Sequence, residues 1–414
     1  MNNKIKDVPK LRFPGFEEEW KIDNIGAHVD IISGVPIKGE DISQNPSGTP
    51  ILRGVNITEG YIRHSRDIDR FYMKSIEAVD KFIVQEGDLV IPMDGSKVGR
   101  NYAIVSKSEE NAVLIQRVAR LRSKSMSCLP FIYQHISSAE FQKYVDEVNT
   151  SSGIPHISLK QLQQFKVAFP TLLEQQKIAA FLTAVDDKIQ QLNKKKALLE
   201  QYKKGVMHQI FNREIRFKDE NGECHPDWEQ KQLGNIATFS KGKGISKSDI
   251  TPDGDLDCIL YGELYTYYSE KIDSVRSKTN LKATTCVLSD ANDVIVPASG
   301  ESRFDIATAS CVLKSGVALG GDLNIIKSTV NGIYLAYYLN HKKKFEIAAL
   351  AQGISVVHLY SSQLRTLNVE IPSNLEQNKI VNFLSALDDK IKHVDQQIER
   401  TKQYKKGLLQ QMFV

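Results

Sequence analysis

Two pairs of adjacent aspartates are the residues in this sequence that most resemble an acid–base or metal-binding arrangement. Asp186-Asp187 and Asp388-Asp389 each precede a lysine and lie within runs of helix-forming residues. On an exposed helix, such carboxylates pair with neighbouring lysines or contact a partner more often than they act on a substrate. We therefore interpret both pairs as structural rather than catalytic.

Other patterns of catalysis or cofactor binding are incomplete. The run Lys241-Gly242-Lys243-Gly244 lacks the spacing that cradles phosphates and is expected to form a basic turn. Pro252-Asp253 could begin a restriction-nuclease motif, but Glu263-Leu264-Tyr265 ends in tyrosine where that motif requires lysine. The sequence contains no GxxxxGK(S/T), HExxH or GxSxG motif, and no (Asn/Asp)-Pro-Pro-(Tyr/Phe) loop of adenine methyltransferases. We expect no catalytic activity and no cofactor in this chain.

The composition is typical of a globular, cytoplasmic protein with several folding units. A chain of 414 residues suggests two to four units, and 41% hydrophobic with 25% charged residues excludes a disordered chain. The five cysteines form no CxxC pair, so neither a disulfide framework nor a metal site is expected. No apolar run is long enough to cross a membrane, and a net charge of +4 permits nucleic-acid binding without requiring it.

An internal repeat determines the domain organisation. Residues 170–211 and 372–413 align at a constant offset of 202, with LEQ, DDKI and QYKKG recurring in register. The preceding segments align more loosely, for example Trp20 with Trp228. The sequence therefore predicts two dissimilar domains of one ground plan, each followed by a nearly identical helix. The predicted parts are domains at 1–170 and 212–372 and helices at 171–211 and 373–414.

The repeated segments have the heptad spacing of a coiled coil. Apolar residues follow steps of four and three over about five heptads, and Pro170 and Pro372 stand where a proline marks a helix start. Each helix of roughly 38 residues would extend for about 57 Å. Since the second helix must return if it pairs with the first, we predict an antiparallel coiled coil with pseudo-two-fold symmetry. The alternative is that each helix packs only on its own domain. Four aromatic residues lie beside the seam, where partner helices could cover them: Phe181, Tyr202, Phe383 and Tyr404.

Each domain is expected to be a mixed α/β (α+β) fold whose strands carry the loops. Short strands are predicted at 89–92, 103–105, 118–121 and 294–297. Helices that face the core are predicted at 131–148 and 332–351.

The whole chain resembles the specificity subunits of type I restriction–modification systems. The opening Pro9–Phe16 with Trp20 is similar to the usual start of that family. The runs Leu173-Glu174-Gln175-Gln176-Lys177-Ile178-Ala179 and Leu375-Glu376-Gln377-Asn378-Lys379-Ile380-Val381 are similar to its proline–x–x–x–EQ–x–x–I helix entry. The resemblance implies two target recognition domains that read an asymmetric, split target in double-stranded DNA. It further implies two modification subunits that use S-adenosylmethionine to methylate adenine at N6, and two restriction subunits that use ATP and Mg²⁺.

Loops after strands are the natural mounts for side chains that contact base edges and phosphates. In the first domain we predict DNA contacts from Arg53, Asn56, Arg63, His64, Arg66, Ser96, Lys97, Arg100, Ser152 and His156. In the second domain we predict them from Lys241, Lys243, Tyr261, Glu263, Tyr265, Ser302, Arg303 and His358. Two other functions remain open at this point, a coiled-coil adaptor without DNA affinity and a stand-alone endonuclease with an unrecognised site.

Overall fold

The computed structural model describes residues 8–124, 127–149 and 153–413, which form two compact units. Unit one contains residues up to Asn193 together with those from Asp395 onwards, and unit two is Lys194–Val394. The last segment of the chain therefore belongs to the unit in which the chain begins.

Unit one contains two small sheets and a two-stranded ladder. A sheet in the order β2-β9-β6-β7 is antiparallel throughout, and the sheet β3-β5-β4-β8 has one parallel pair, β4 with β8. Strands β1 and β10 pair directly before the first long helix. The strands are β1 Lys21–Asn24, β2 Val29–Ser33, β3 Ile42–Ser43, β4 Thr49–Leu52, β5 Phe71–Tyr72, β6 Leu89–Pro92, β7 Ala103–Ile104, β8 Val113–Leu114, β9 Val118–Ser123 and β10 Lys166–Phe169.

Helices cover the core of unit one and begin at identifiable caps. The Ser138 hydroxyl accepts a hydrogen bond from Phe141 N, and Ser158 forms a capping box with Gln161. The predicted helix 131–148 is therefore two helices, because the cap at Ser138 starts a new one. The helices are α1 Ile25–His28, α2 Leu129–Ile136, α3 Ala139–Val148, α4 Leu159–Gln164 and α5 Leu172–Phe211, with 3-10 turns at Gly39–Asp41, Gly54–Asn56 and Ile76–Phe82.

Unit two repeats this plan with different side chains. Its larger sheet has the order β12-β21-β17-β19-β14, and its second sheet β15-β13-β20-β16 again has one parallel pair of this kind, β13 with β20. Strands β11 and β23 pair before the second long helix, and β18 pairs with β22. The strands are β11 Glu229–Gln232, β12 Ala237–Lys241, β13 Leu256–Ile259, β14 Lys271–Ile272, β15 Ser277–Thr279, β16 Val287–Leu288, β17 Asp293–Pro297, β18 Ser299–Gly300, β19 Ser310–Val312, β20 Ala318–Leu319, β21 Leu323–Ser328, β22 Val357–His358 and β23 Asn368–Ile371.

In unit two, as in unit one, a segment that was predicted as one helix forms two. The predicted helix 332–351 is interrupted at Lys343, and three core tyrosines of its first part are almost fully buried. The helices are α6 Leu233–Ile236, α7 Glu263–Thr266, α8 Arg303–Ile306, α9 Gly332–Lys342, α10 Lys344–Leu350, α11 Ser361–Leu364 and α12 Asn374–Met412, with 3-10 turns at Lys247–Asp249 and Ala283–Thr285.

Within each unit, part of α5 lies antiparallel to part of α12. In unit one, Leu182 shares a core with Leu408, and Asp186 Oδ1 lies 2.7 Å from Lys405 Nζ. In unit two, the repeat-equivalent ion pair joins Asp388 Oδ1 and Lys203 Nζ at 2.5 Å. The predicted antiparallel pairing is thus confirmed inside each unit. The helices also pack on the domains. The alternative prediction, in which each helix packs only on its own domain, therefore describes only part of their contacts.

One aspartate of each adjacent pair forms an ion pair within the chain. Asp186 and Asp388 bind lysines of the facing helix rather than those that follow them in sequence. No group of three or more His, Cys, Asp or Glu side chains that could hold a metal ion occurs among the residues described.

Candidate nucleic-acid interface

In unit one, the loop after β6 lies beside the glycine loop that precedes α4. Gly95 N donates to Pro155 O at 3.0 Å, and Asp94 forms a β-bridge with His156. Buried Val98 and Gly99 anchor the first loop, and a Cβ at Gly99, whose φ is +75°, would lie 2.9 Å from Val145. The sequence-predicted residues Ser96, Lys97, Arg100 and His156 are all exposed on these two loops. Ser152 lies outside the described residues.

A second loop of unit one, which follows β4, carries exposed cationic side chains. Arg63, His64 and Arg66 are exposed, and the Arg63 guanidinium donates to Val55 O at 2.8 Å. His64 lies between two carboxylates, 3.1 Å from Asp69 and 3.4 Å from Glu109. This loop is joined to the β6 loop, because Asn101 Nδ2 donates to Ile57 O at 3.0 Å.

Two predicted contact residues of this loop make hydrogen bonds within it, and one of them is buried and the other half-buried. Asn56 is wholly buried, where its Oδ1 accepts from Arg53 N at 3.2 Å and its Nδ2 donates to Asp69 at 3.2 Å. The Arg53 guanidinium donates to Ile68 O, and burial lowers its pKa. Because these hydrogen bonds lie inside the loop, Asn56 and Arg53 hold its shape.

In unit two, the corresponding loops are again brought together. Ser299 pairs with His358 through β18 and β22, and Leu359 N donates to Ala298 O at 2.9 Å. Arg303 and His358 are exposed, whereas the Ser302 hydroxyl caps α8 by accepting from Asp305 N at 3.1 Å. The loop after β17 therefore meets a glycine loop, as the loop after β6 does in unit one.

The remaining predicted residues of unit two lie at the end of β12 and directly after it, and between the end of β13 and the end of helix α7. Lys241 and Lys243 are exposed, and Tyr261 and Tyr265 are half-buried with ring centroids 6.5 Å apart. Burial raises the pKa of Tyr265, as do the nearby carboxylates of Glu301 and Asp305.

Glu263 differs from its prediction. Its buried carboxylate accepts from Leu260 N at 2.8 Å and from Ser277 Oγ at 2.5 Å, so it shapes the loop and is not available to a base.

Sequence reasoning missed two residues that belong to these surfaces. Arg117 is exposed at φ +66° directly before β9, and its Nη1 lies 2.7 Å from Asp94 Oδ2. Because β9 is antiparallel to β6, Arg117 comes to the same edge as the β6 loop, which the predicted strands alone could have indicated. In unit two, Tyr360 is exposed and Lys241 Nζ lies 5.7 Å from the centre of its ring.

The long helices present a second candidate surface. Tyr202 and Tyr404 are 53% and 56% exposed, as expected for residues that a partner could cover. Phe181 and Phe383, by contrast, are partly buried in this chain, with ring centroids 5.7 Å from those of Phe13 and Phe217. The first segment of each domain therefore already covers part of these two phenylalanines, and a partner could cover only what remains exposed.

An open groove lies beside Tyr202 in unit two. It encloses about 780 Å³ and is lined along α5 by apolar and small residues with a basic and imidazole rim. The lining residues are Leu198, Gln201, Tyr202, Lys204, Gly205, Val206, His208, Gln209, Glu214 and His341. No helix of the described residues is long and apolar enough to span a membrane.

Comparison with known proteins identifies the family. The model of the type I restriction modification DNA specificity domain matches residues 17–201 and 226–402. The chain is 23% identical to the type I restriction enzyme MjaVIII specificity subunit of Methanocaldococcus jannaschii, over 98% of this chain and 94% of that protein. It is 25% identical to the putative MjaX specificity subunit of that organism, over 98% and 95% of the two chains.

Solved structures show the same fold. The crystal structure of a type I restriction–modification S subunit from M. genitalium superposes with a TM-score of 0.63 at 16% identity, covering 98% of this chain and 99% of that one. A chain from a structural study of type I restriction–modification assembly gives a TM-score of 0.53 at 13% identity, with coverage of 96% and 98%. The family model matches two segments that together span most of this chain. The chain therefore belongs to the family of type I restriction–modification DNA specificity proteins.

Proposed function

We propose that this chain is the DNA-reading subunit of a type I restriction–modification complex and that each unit reads one half of a split target. The observation that carries the proposal is the construction shared by the two units. In each, a loop at the end of a buried strand joins a glycine loop, and the joined loops display exposed polar and cationic side chains that differ between the units. A common scaffold with unlike loops suits two different half-sites, so the target is asymmetric.

The exposed side chains supply the two kinds of contact that DNA reading needs. Lys97, Arg100 and Arg303 can bind phosphates or the guanine edge, and exposed imidazoles at His156 and His358 can donate to base acceptors. Asn56, Arg53 and Glu263 act indirectly by holding the loops. The chain itself contributes recognition, without a catalytic site or cofactor.

Catalysis belongs to partner subunits in this proposal. Two modification subunits supply S-adenosylmethionine-dependent methylation of adenine N6, and two restriction subunits supply ATP- and Mg²⁺-dependent restriction. Both act in the cytoplasm on DNA that this chain selects.

The exposed surface of the long helices is repeated within the chain, which favours a partner that binds in two copies. Several exposed residues are identical between α5 and α12 although packing inside the chain does not require them. With Leu182 at heptad position a, they occupy positions b, c, f and g, which share one side of the helix. The pairs that are identical and exposed in both helices are Leu173 with Leu375, Ala184 with Ala386, Asp187 with Asp389, Lys188 with Lys390, Gln201 with Gln403, Tyr202 with Tyr404, Lys204 with Lys406 and Gln209 with Gln411.

This duplicated face fits two copies of one modification subunit. In an antiparallel pair the g positions of both helices lie on the same side, so each unit presents the face once. We expect Tyr202→Ala with Tyr404→Ala to release modification subunits, measured by native mass spectrometry. Glu200→Ala with Lys402→Ala, at exposed positions that differ between the helices, is the matched control.

Mapping methylated adenines tests the function directly. Cells that carry this chain with its modification subunit should show N6-methyladenine at one asymmetric motif with two specific halves and an unread gap. A chain that binds DNA without such a motif, or methylation of a palindrome, would contradict the proposal.

Salt dependence separates the proposal from the two other functions. DNA binding by the complex should weaken steeply with salt, and Lys97→Ala should reduce the slope of log affinity against log salt by about one. Lys38→Ala, on another exposed loop, should leave it unchanged. An adaptor would show no such binding, and an endonuclease would be revealed by Mg²⁺-dependent cleavage by the purified chain alone.

A further inference from the structure

Two exposed isoleucines stand at the tips of the equivalent glycine loops. The side chain of Ile354 is 99% exposed and that of Ile154 is 68% exposed. Each follows a glycine, Gly353 or Gly153, in the repeated segment. Isoleucine is among the residues most often buried, so its exposure at the same place in both units suggests a common role.

The loop of unit two holds its isoleucine outward by its backbone. Gln352 N donates to His358 O at 2.9 Å and His358 N to Gln352 O at 2.7 Å, which closes the five residues between them. Gly353 has φ +118°, and a Cβ there would lie 2.1 Å from Val356 O. The tip is therefore a closed turn that only glycine permits, and it leaves Ile354 with no apolar neighbour to cover it.

Both tips project from the loops that carry the proposed DNA contacts. In unit one, Ile157 N donates to Met93 O at 2.8 Å and Gly95 N to Pro155 O at 3.0 Å, so Ile154 is flanked by the loop of Lys97 and Arg100. In unit two, the strand pair that includes Ser299 and His358 forms the base of the loop. An apolar tip thus rises from a polar base in each unit, and in unit one this base includes the cationic side chains of Lys97 and Arg100.

We propose that Ile154 and Ile354 are wedges that enter between adjacent base pairs of the two half-sites. An apolar side chain inserted at a base step partly unstacks it and kinks the duplex, and surrounding cationic groups hold the bent backbone. The inserted side chain leaves water and contacts the apolar faces of the bases, which removes the unfavourable free energy of its exposure to water. This inference rests on the proposed DNA-reading function and adds a mode of recognition to it, since easily unstacked steps are favoured at the wedge position.

Contact with a protein partner is the competing explanation. The neighbouring groups argue against it, because His156, Lys97 and Arg100 beside one tip and His358 beside the other are exposed polar groups suited to DNA. The tips also belong to the loops of the domains and not to the duplicated face of the long helices.

The test uses the assembled complex of this chain with modification subunits and duplex DNA that carries the mapped target. 2-Aminopurine is placed at each base step of the half-sites in turn, away from the methylated adenines, so that base flipping by a partner is not measured. We expect a several-fold fluorescence increase at one step in each half-site. Ile354→Ala should abolish the increase in one half-site only, and Ile154→Ala in the other, each with about tenfold weaker binding. Ile354→Met should retain the signal, and Ile22→Ala, at an exposed strand position, should change nothing.

The outcomes are distinguishable. Specific binding by the wild-type complex without any fluorescence increase, or an increase that survives both alanine variants, overturns the wedge and leaves the DNA-reading function intact. Loss of modification subunits from the Ile354→Ala complex in the absence of DNA would show a protein contact and also overturn it. Absence of sequence-specific binding by the wild-type complex would instead remove the proposed function.

Discussion

A wholly buried histidine stabilises the junction between the first domain and the end of α12. The His135 ring stacks on that of Phe413 at 3.9 Å and contacts Phe131 at 4.8 Å. Burial lowers the pKa of His135 to about 3, because nothing in this apolar site compensates the imidazolium charge.

Unit one should therefore lose stability as the pH falls. Between pH 6.5 and about 3, His135 is neutral in the folded state but protonated in the unfolded state, so protons favour unfolding. The expected loss approaches about 1.4 kcal/mol per pH unit below the unfolded pKa. Urea denaturation of unit one at pH 7.5 and pH 5.5 measures it.

The control is His135→Leu, which keeps an apolar group of similar size and cannot titrate. Its unfolding free energy should fall less between the two pH values than that of the wild type. Equal losses in both proteins would show that other groups control the acid sensitivity.

At the scale of residues, the sequence predicted the positions of the loops more accurately than which of their side chains are exposed. Arg63 and Lys97 are exposed on loops that follow strands, and His156 is exposed on the glycine loop. Asn56 and Glu263 are not, because a side-chain oxygen a few residues after a strand can accept backbone N–H bonds and fold the loop around itself. Polarity alone does not distinguish these two uses.

At the scale of elements, the Glu-Gln sequence at each long-helix start joins three segments. Glu174 accepts two hydrogen bonds from Arg12 at 2.7 and 2.8 Å, and Glu376 accepts from Arg216 at 3.1 and 2.8 Å. Both carboxylates are fully buried. The pairing therefore attaches the first segment of each domain to the long helix that follows that domain.

The glutamines make an equally duplicated contact. Gln175 accepts from Cys128 N at 3.1 Å and Gln377 from Asn331 N at 2.9 Å, at the start of α2 and α9 respectively. Each also donates to the carbonyl of the proline before its helix, at 2.9 and 2.8 Å. The motif thus fixes the helix relative to its own domain.

Removing the charge of one glutamate should destabilise its unit strongly. Glu376 also accepts a hydrogen bond from Trp228 Nε1 at 3.0 Å, so Glu376→Gln leaves a partly buried guanidinium without its carboxylate. We expect a loss of about 3 kcal/mol in the unfolding free energy of unit two. Chemical denaturation followed by tryptophan fluorescence of Trp228 reports it.

The matched control removes an exposed glutamate of the same unit. Glu229 pairs with Lys231 at 2.5 Å in solvent, so Glu229→Gln should leave the stability of unit two almost unchanged. Similar effects of both substitutions would contradict the role assigned to the buried pair.

The sequence predicted the long helices and their antiparallel pairing because heptads and prolines are local signals. It predicted each of the shorter helix pairs as one helix, because Ser138 and Lys343 interrupt the helices without glycine or proline. The ground plan shared by the two sheets depends on strand pairings distant in sequence, such as β4 with β8, which periodicity does not reveal.

At the scale of the whole molecule, the long helices are expected to act as a ruler for the unread gap. Inserting one heptad into α5 and α12 at matched positions should lengthen the gap by about three base pairs, since seven residues add about 10 Å. Both half-sites should stay the same, because the loops that read them are unchanged. Methylation mapping of the variant gives the result.

An insertion of one heptad into α5 alone provides the comparison, because it breaks the register of the paired positions. That variant should lose methylation. A matched double insertion that changed the bases of a half-site would argue against the ruler.

The predicted linear division into domains and helices stays a prediction, and contacts group the chain differently. Residues 395–414 join the first unit because Leu408, Met412 and Phe413 pack into its core and Leu11 N donates to Gln411 O at 2.8 Å. No local pattern shows that two ends of a chain will meet, so sequence reasoning placed this segment in a separate helix.

Truncation after Val394 should therefore damage the distant end of the chain. We expect unit two to stay protected in limited proteolysis while unit one becomes sensitive, because the truncated chain retains all of unit two and lacks the α12 part of the unit-one core. Equal protection of both units would contradict this.

The same discontinuity has a consequence during synthesis. About 200 residues separate the two segments of unit one, so at roughly 5–20 residues per second a ribosome needs about 10–40 seconds to supply the second segment. During that interval the apolar site for Leu408 and Met412 has no occupant, although unit two can fold as soon as it emerges. The part of the protein that is translated first is thus the last to mature, and its nascent surface is a natural client for chaperones.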